Sequence, residues 1–339
     1  MKILLLQLRR IGDLILTIPA IDALRQKFPN SKITLVISHE CQELKPAIAN
    51  VDRIWVVRRK PRDVGVFIAA AARRFDCCVD FTQNDRSAVV AWLSRARRRI
   101  ASCQVEKKSE RRSRVYTEFV QARMREMHTL DYHMALLQPL GVEGRPPRLQ
   151  LDLPRQAHEK ADQLRRDAGI EDRFVLFHPG AARVEKFWEA ERWATVIDHV
   201  QSNWHYRAVI TGAASERDQE QVRQIKANLR RPIVDLSGRT DLLTLAALIA
   251  QAKLLVTVDS APMHLAAATR TPQVVLFGPT NPFHWRPRES PAVVLQGESP
   301  DPKLDFSFRQ QGDSMNQIST EAVINAMSGL LPTPATHTV

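Results

Sequence analysis

Short, uninterrupted apolar runs recur along this chain, each followed by a segment of helical periodicity. They fall at 3–7, 33–37 and 77–81, then at 174–177, 208–211, 233–236, 254–258 and 274–277. A strand that is apolar at every position has no face to give to water, so each run predicts a strand buried on both sides. The segments between them, at 14–28, 66–73 and 88–94 and then at 155–168, 189–203, 216–229, 241–251, 262–269 and 319–331, predict the covering helices. A further strand is expected near 54–57. The chain therefore reads as α/β, with parallel sheets and the alternation run twice.

Between the two series stand Gly141, Gly144, Pro146, Pro147 and Pro154, which mark a linker. The 339 residues suffice for two cores. The expected organisation is a first domain over 1–154 and a second over 155–318. A final helix at 319–331 is expected to pack back toward the first domain, followed by a disordered tail at 332–339. Two similar halves facing each other across a cleft is the architecture these boundaries imply.

The charge is divided unevenly between the halves. Residues 1–150 carry 28 Lys and Arg against 15 Asp and Glu, whereas residues 151–339 carry 21 against 22. The excess predicts an anionic partner for the first half: nucleic acid, an acidic membrane surface, or a phosphorylated or carboxylated substrate. No apolar run approaches the roughly 18–20 residues of a membrane span. The opening apolar stretch meets Arg9 and Arg10 too soon for a signal-peptide core, so a cytosolic location is expected. Cys41, Cys77, Cys78 and Cys103 lack metal or redox spacing and read as reduced, apolar residues. G-x-G-x-x-G and G-x-x-x-x-G-K-[ST] loops are both absent, which counts against a dinucleotide oxidoreductase and a P-loop phosphohydrolase. No two Asp are two residues apart, so a D-x-D metal–diphosphate clamp is absent, and neither a metal nor a cofactor is expected.

Ligands of open α/β sheets gather at the carboxyl ends of strands, and three such turns carry polar groups. Arg9-Arg10-Ile11-Gly12-Asp13 follows the first strand. Asp13 either caps the next helix or is a carboxylate that takes a proton from a hydroxyl nucleophile. His178-Pro179-Gly180-Ala181-Ala182-Arg183, with Lys186 beyond, is either a helix entrance with surface charges or a backbone N–H cradle for phosphate assisted by a cation. Val258-Asp259-Ser260-Ala261-Pro262-Met263-His264 offers a carboxylate that either caps a helix or orients sugar hydroxyls. His264 alone, in an apolar helix, reads as structural.

Taken in order, these segments resemble the heptosyltransferases of glycosyltransferase family 9. The resemblance rests on Arg10-x-Gly12-Asp13 with Pro19, and on His178-Pro179-Gly180 with Lys186, Trp188 and Glu191-Arg192-Trp193. Asp259-Ser260-x-Pro262-Met263-His264-Leu265-Ala266-Ala267 and Phe277-Gly278-Pro279-Thr280 complete it. It covers residues 1 to about 285. It implies two Rossmann-like, doubly wound domains of the GT-B type and an inverting sugar transfer that needs no metal. The implied donor is ADP-heptose, and the implied acceptor is the anionic inner core of lipopolysaccharide. By the same resemblance Asp13 is the general base and Lys186 the cation that neutralises the departing diphosphate. Gly180, Ala181, Ala182, Asp259, Ser260 and His264 surround the donor's phosphates and sugar, Glu216 holds its ribose, and 238–243, with Gly238 and Leu242, lines its adenine.

Arg10 and the cluster Arg58, Arg59, Lys60 and Arg62 stand where the resemblance implies cations for the acceptor's acidic sugars. The stretch 95–114, with nine Lys and Arg against Glu106 and Glu110, is either a solvated loop or a surface for anionic lipid. Peripheral, salt-sensitive contact with the cytoplasmic face of the inner membrane is the expected association. Ala181 and Ala182 replace the Ser or Thr that relatives carry, and Ala261 a usual Gly, so the donor's identity is less fixed than the fold. A family-9-like transferase with another nucleotide sugar or glycan is one alternative, and a catalytically inactive scaffold is another. A basic nucleic-acid-binding protein is a third, opposed by cations that are not interleaved with aromatics, so no nucleic acid is expected.

Overall fold

The computed structural model describes residues 1–58, 64–171 and 173–331. The chain divides into two compact units, Met1–Asp152 and Leu153–Val339. The first holds strands β1 (Lys2–Gln7), β2 (Lys32–Ser38), β3 (Arg53–Val57), β4 (Cys77–Asp80), β5 (Arg98–Ser102) and β6 (Glu118–Val120). The second holds β7 (Phe174–His178), β8 (Arg207–Ile210), β9 (Val234–Asp235), β10 (Leu254–Val258), β11 (Gln273–Phe277) and β12 (Ala292–Gln296). Every strand pair is parallel.

The first sheet runs β3-β2-β1-β4-β5-β6 and the second β12-β11-β10-β7-β8-β9. Counted within its own unit, each follows the 3-2-1-4-5-6 order of doubly wound nucleotide-binding sheets. The order reverses between β1 and β4 in one unit and between β7 and β10 in the other. Those two points are where such sheets open a crevice for ligand. Strands β4, β7, β10 and β11 are buried from end to end, and β1 is buried beyond Lys2. The α/β class and the doubly wound parallel organisation expected from the sequence therefore hold in both units.

Three local features differ from the expectation. The single helix expected at 14–28 is two, Ile11–Ile15 and Ile18–Lys27, joined at Leu16-Thr17. Pro19 sits in the first turn of the second helix, where its missing N–H costs nothing. Strands β5 and β6 have no apolar run to announce them, and the run at 292–295 that becomes β12 is not among the expected strands. The stretch at 286–317, where no element is expected from the sequence, forms β12 and then a strap across the Gly278-Pro279-Thr280 turn. A Cβ on Gly312 would lie 2.2 Å from the Pro279 carbonyl carbon, and one on Gly278 2.5 Å from Met315 Sδ. The strap could not approach so closely without both glycines.

The last helix, Thr320–Ser328, closes the described part of the second unit. It packs on the helix Ala190–Asn203 and on β11 and β12. Its apolar residues Val323, Ala326 and Met327 are absorbed into the second unit's own core. The tail expected at 332–339 lies outside the described residues.

Candidate active site

In the first unit the chain leaves β1 at Gln7 and turns through Leu8–Arg10 into the short helix that carries Asp13. Arg10 takes the N-cap position, without a side-chain cap, so the capping role left open for Asp13 is not its own. Asp13 is 8% exposed, and its Oδ1 has no hydrogen-bond partner among the described residues. Burial pushes this carboxyl above the usual carboxylate range. The charges of Arg9 and Arg10 and the backbone amides of Arg10 and Asp13 pull it back. Asp13 is thus a buried carboxylate with one oxygen unpartnered among the described residues, a state that candidates for proton transfer share.

The loop that holds Asp13 is fixed from several sides. Thr17 Oγ1 donates to the Asp13 carbonyl at 2.7 Å and accepts from Gln7 Nε2 at 2.7 Å. His133 Nδ1 lies 3.3 Å from Thr17 Oγ1 and 3.2 Å from the Leu16 carbonyl. Burial lowers His133 to about 3, so it acts as a neutral brace. Across the switch point, Asp80 at the end of β4 builds a tight turn. Its Oδ1 accepts from the Thr82 and Gln83 amides, each at 2.8 Å, and its Oδ2 from the Tyr116 hydroxyl at 2.6 Å. Thr82 in turn accepts the Leu8 N–H at 2.6 Å through Oγ1 and an Arg9 guanidinium N–H at 3.2 Å through its carbonyl. Sequence reasoning missed Asp80 and Thr82. The signal was there, because an Asp two residues before the turn's Thr can form an Asx turn.

In the second unit the chain leaves β7 at His178, passes Pro179–Ala182, and makes a single 3₁₀ turn at Val184–Lys186 before the helix Ala190–Asn203. His178 is buried, with Nδ1 3.0 Å from Thr211 Oγ1, and burial lowers it to about 4. It fastens β7 to the end of β8. Trp188 and Trp193 are buried edge to face, with centroids 5.3 Å apart. Trp188 Nε1 donates to the Ile318 carbonyl at 3.1 Å, and Arg192 Nη1 to the same oxygen at 2.7 Å. Trp188 and Arg192 hold the strap, and Trp193 fills the core beneath them.

Lys186 reaches the end of β10. Its Nζ donates to Asp259 Oδ2 at 2.5 Å and to the Asp259 carbonyl at 3.1 Å. The two side chains are only 13% and 8% exposed, so the pair is largely removed from water. Ser260 is the N-cap of the helix Ala261–Thr269 but makes no side-chain cap. His264, in that helix, is buried, with Nδ1 unpartnered among the described residues. Burial lowers it to about 4, the nearby Asp259 raising it and Lys186 lowering it. His264 thus senses both members of the pair, and its ring is neutral at physiological pH.

The remaining sequence-derived candidates fall as follows. Gly180 and Ala181 are buried and Ala182 is exposed on the turn after β7. Glu216 is exposed at the first position of the helix Glu216–Asn228. Gly238, with φ +72°, is exposed after β9, and Leu242 opens the helix Leu242–Gln251 half-buried. Arg10 and Arg58 are exposed, while Arg59, Lys60 and Arg62 lie outside the described residues. The sequence reading passed over Asp218. Its Oδ2 accepts the Ala213 N–H at 3.0 Å and lies where a Cβ of residue 180 would go. Ser215 caps this helix by accepting the Asp218 N–H at 3.2 Å, and a capping signature of that kind draws attention to the helix start rather than to the carboxylate. Among the described residues, no group of three or more His, Cys, Asp or Glu side chains is arranged to hold a metal ion.

Comparison with known proteins shows the family. The family model described as glycosyltransferase family 9 (heptosyltransferase) matches residues 69–310. The chain belongs to glycosyltransferase family 9. It is therefore a sugar-transferring enzyme. Lipopolysaccharide heptosyltransferase 3 of Escherichia coli is 26% identical, over 96% of this chain and 98% of that protein. Among solved structures, a family 9 glycosyltransferase from Veillonella parvula superposes with a TM-score of 0.83 at 27% identity, covering 97% of this chain and 96% of its own. The E. coli ADP-heptose lps heptosyltransferase II shares the fold, with a TM-score of 0.77 at 22% identity, covering 97% of this chain and 98% of its own. In this family 9 chain, Asp13, Lys186 and Asp259 all stand at carboxyl ends of strands that flank the reversals in strand order.

Proposed function

We propose that this enzyme moves a heptose from ADP-heptose to the inner core of lipopolysaccharide, with inversion at the anomeric carbon and without a metal ion. The observation that carries the reading is the Lys186–Asp259 pair at the β7/β10 switch point, a water-poor cation at a nucleotide-type crevice. The names of the E. coli relatives support the donor and acceptor classes.

Inverting transfer needs one base and a stabilised leaving group. Asp13 takes the proton of the attacking acceptor hydroxyl; its raised affinity for protons suits it to that role. As the anomeric C–O bond breaks, negative charge gathers on the departing diphosphate. Lys186 and the backbone amides of Gly180, Ala181 and Ala182 meet that charge. Binding of the diphosphate draws Lys186 from Asp259, which then turns with Ser260 to the sugar hydroxyls while His264 supports both from below. Glu216 takes the ribose, and Gly238 and Leu242 border the adenine. Arg10 and Arg58, with Arg59, Lys60 and Arg62, receive the acceptor's acidic groups. The acceptor is attached to lipid, so the enzyme works at an anionic membrane surface. Among the described residues, no helix is long and apolar enough to cross a membrane.

The test is calorimetric titration with ADP, UDP and GDP in excess chelator, followed by transfer from ADP-heptose to heptose-deficient core. Selective ADP binding and chelator-resistant transfer are expected, with Asp13→Ala abolishing transfer and leaving ADP affinity intact. Preference for UDP or GDP would overturn the donor. Turnover restored only by added metal would overturn the metal-free clamp, and turnover retained by Asp13→Ala would overturn the base.

A further inference from the structure

The helix Val64–Ala72, VGVFIAAAA, contains no polar side chain, yet it lies at the surface of the first unit. Val66, Phe67 and Ala70 face the sheet and join its core. The opposite line, Gly65, Ile68 and Ala72, is exposed, with Ile68 62% accessible. The helix packed beside it, Asp85–Leu93, repeats the pattern. Ala88, Val90 and Ala91 are buried, whereas Val89 and Trp92 are 47% and 64% exposed. Of the exposed large apolar side chains among the described residues, these two neighbouring helices hold three.

A water-facing helix of this length without a single polar residue is unusual, and so is an outward Trp one turn from an outward Val. The border of the face is cationic. Arg73 and Arg74 follow the first helix, and Arg86 and Arg95 lie at the two ends of the second, all exposed. Among the described residues of the two helices, the one acidic side chain, Asp85, is matched by Arg112 at 3.2 Å. An apolar strip with an indole in it and arginines around it has the chemistry of the interface between acyl chains and anionic headgroups. The cationic border of the face complements the anionic headgroups of a bilayer.

We infer that the outer face of the helices Val64–Ala72 and Asp85–Leu93 is the surface by which this protein docks on an anionic bilayer, with Ile68, Val89 and Trp92 entering the headgroup layer. The inference rests on the proposed lipid-linked acceptor and specifies where the membrane is met. Contact of this kind is shallow and reversible, and it depends on both apolar and basic groups.

The test is co-sedimentation of the full chain with vesicles of phosphatidylethanolamine and phosphatidylglycerol, and with vesicles of phosphatidylcholine alone. Wild type is expected to bind the anionic vesicles selectively. Ile68→Gln with Trp92→Gln should weaken that binding by about tenfold or more, and Arg86→Gln with Arg95→Gln should abolish the preference for anionic lipid. All four residues are exposed, and unchanged melting temperatures would show that the variants fold. In wild type, brominated acyl chains should quench a fluorescence component that Trp92→Gln lacks. The inference is overturned if the apolar double variant binds like wild type, if wild type binds neither vesicle, or if wild type forms a dimer that Trp92→Gln dissolves. Transfer to a soluble, delipidated core acceptor separates the two readings. It should survive in the apolar variant, and its absence in wild type that still binds vesicles would count against the proposed reaction alone.

Discussion

Lys186 donates to both the carboxylate and the main-chain carbonyl of Asp259, so one ammonium group ties the turn after β7 to the end of β10. The contact crosses the switch point of the second sheet and is mostly shielded from water. The contribution of such a pair to stability can be separated by mutation from the role proposed for it in transfer.

Lys186→Ala leaves the Asp259 carboxylate buried without its cation, which should cost about 3 kcal/mol of stability. Replacing both partners by apolar residues, Lys186→Met with Asp259→Leu, removes the stranded charge and should recover most of that loss. Transfer should be abolished in both proteins. Urea unfolding beside a transfer assay checks this; a double variant that stays as unstable as the single one would show that the pair is not the source of the cost.

Asp218 occupies the space that a side chain at residue 180 would need. A Cβ on Gly180 would lie 2.3 Å from Asp218 Oδ2 and 2.8 Å from its Cγ. Gly180→Ala must therefore displace Asp218 and break its bond to the Ala213 N–H, at a cost of about 1–3 kcal/mol. Adding Asp218→Ala removes the clash, so the pair should be less destabilised than the sum of the single changes. Thermal melts of the three variants give the coupling directly.

What was legible in the sequence depended on whether a strand's neighbours were apolar. β1, β7, β10 and β11 are central, and their runs announce them. β5 begins Arg98-Arg99, and the charge hid it. In the fold Arg98 forks onto Glu118 of the adjacent β6, at 2.6 and 2.7 Å, and reaches the Pro139 carbonyl at 2.6 Å. Much of the basic stretch 95–114 is spent in this way. Arg112 holds the Gln83 carbonyl at 2.7 Å, and Arg114 pairs with Glu110. The site was legible at turns where a motif marked a strand end. It was legible but overlooked at Asp80, where the spacing to Thr82 suits an Asx turn, and it was not legible at Asp218, whose importance comes from what it approaches in space rather than from its neighbours in sequence.

All four cysteines are buried and unpaired. Loss of hydration pushes Cys41 up to about 11 and Cys77 to about 12, and drives Cys78 well above its ordinary value. Thiolate is the reactive form, so these groups should be inert in the folded protein. Ellman's reagent at mildly alkaline pH should find almost no thiol in the native chain and four after unfolding in denaturant. Rapid reaction of one thiol in the native state would reveal an opening at that residue.

Asp13 should destabilise the fold it serves. Its carboxyl is raised above the ordinary value of 3.8, chiefly by burial, so the folded state binds the proton more tightly than the unfolded chain does. Stability is then lost as pH rises from the unfolded value through the folded one. Asp13→Asn removes the ionisable group. The variant should match wild type near pH 4 and exceed it in urea unfolding at about pH 7. Transfer should fall by roughly 100- to 10,000-fold, because the base is gone. In wild type, kcat/KM should decline on the acid side with a midpoint above the usual carboxylate range, and the residual rate of the variant should lack that limb. A variant that gains stability while losing the reaction identifies a group held against its own solvation for chemistry. Equal stability at both pH values would instead mean that water reaches Asp13 in the folded protein.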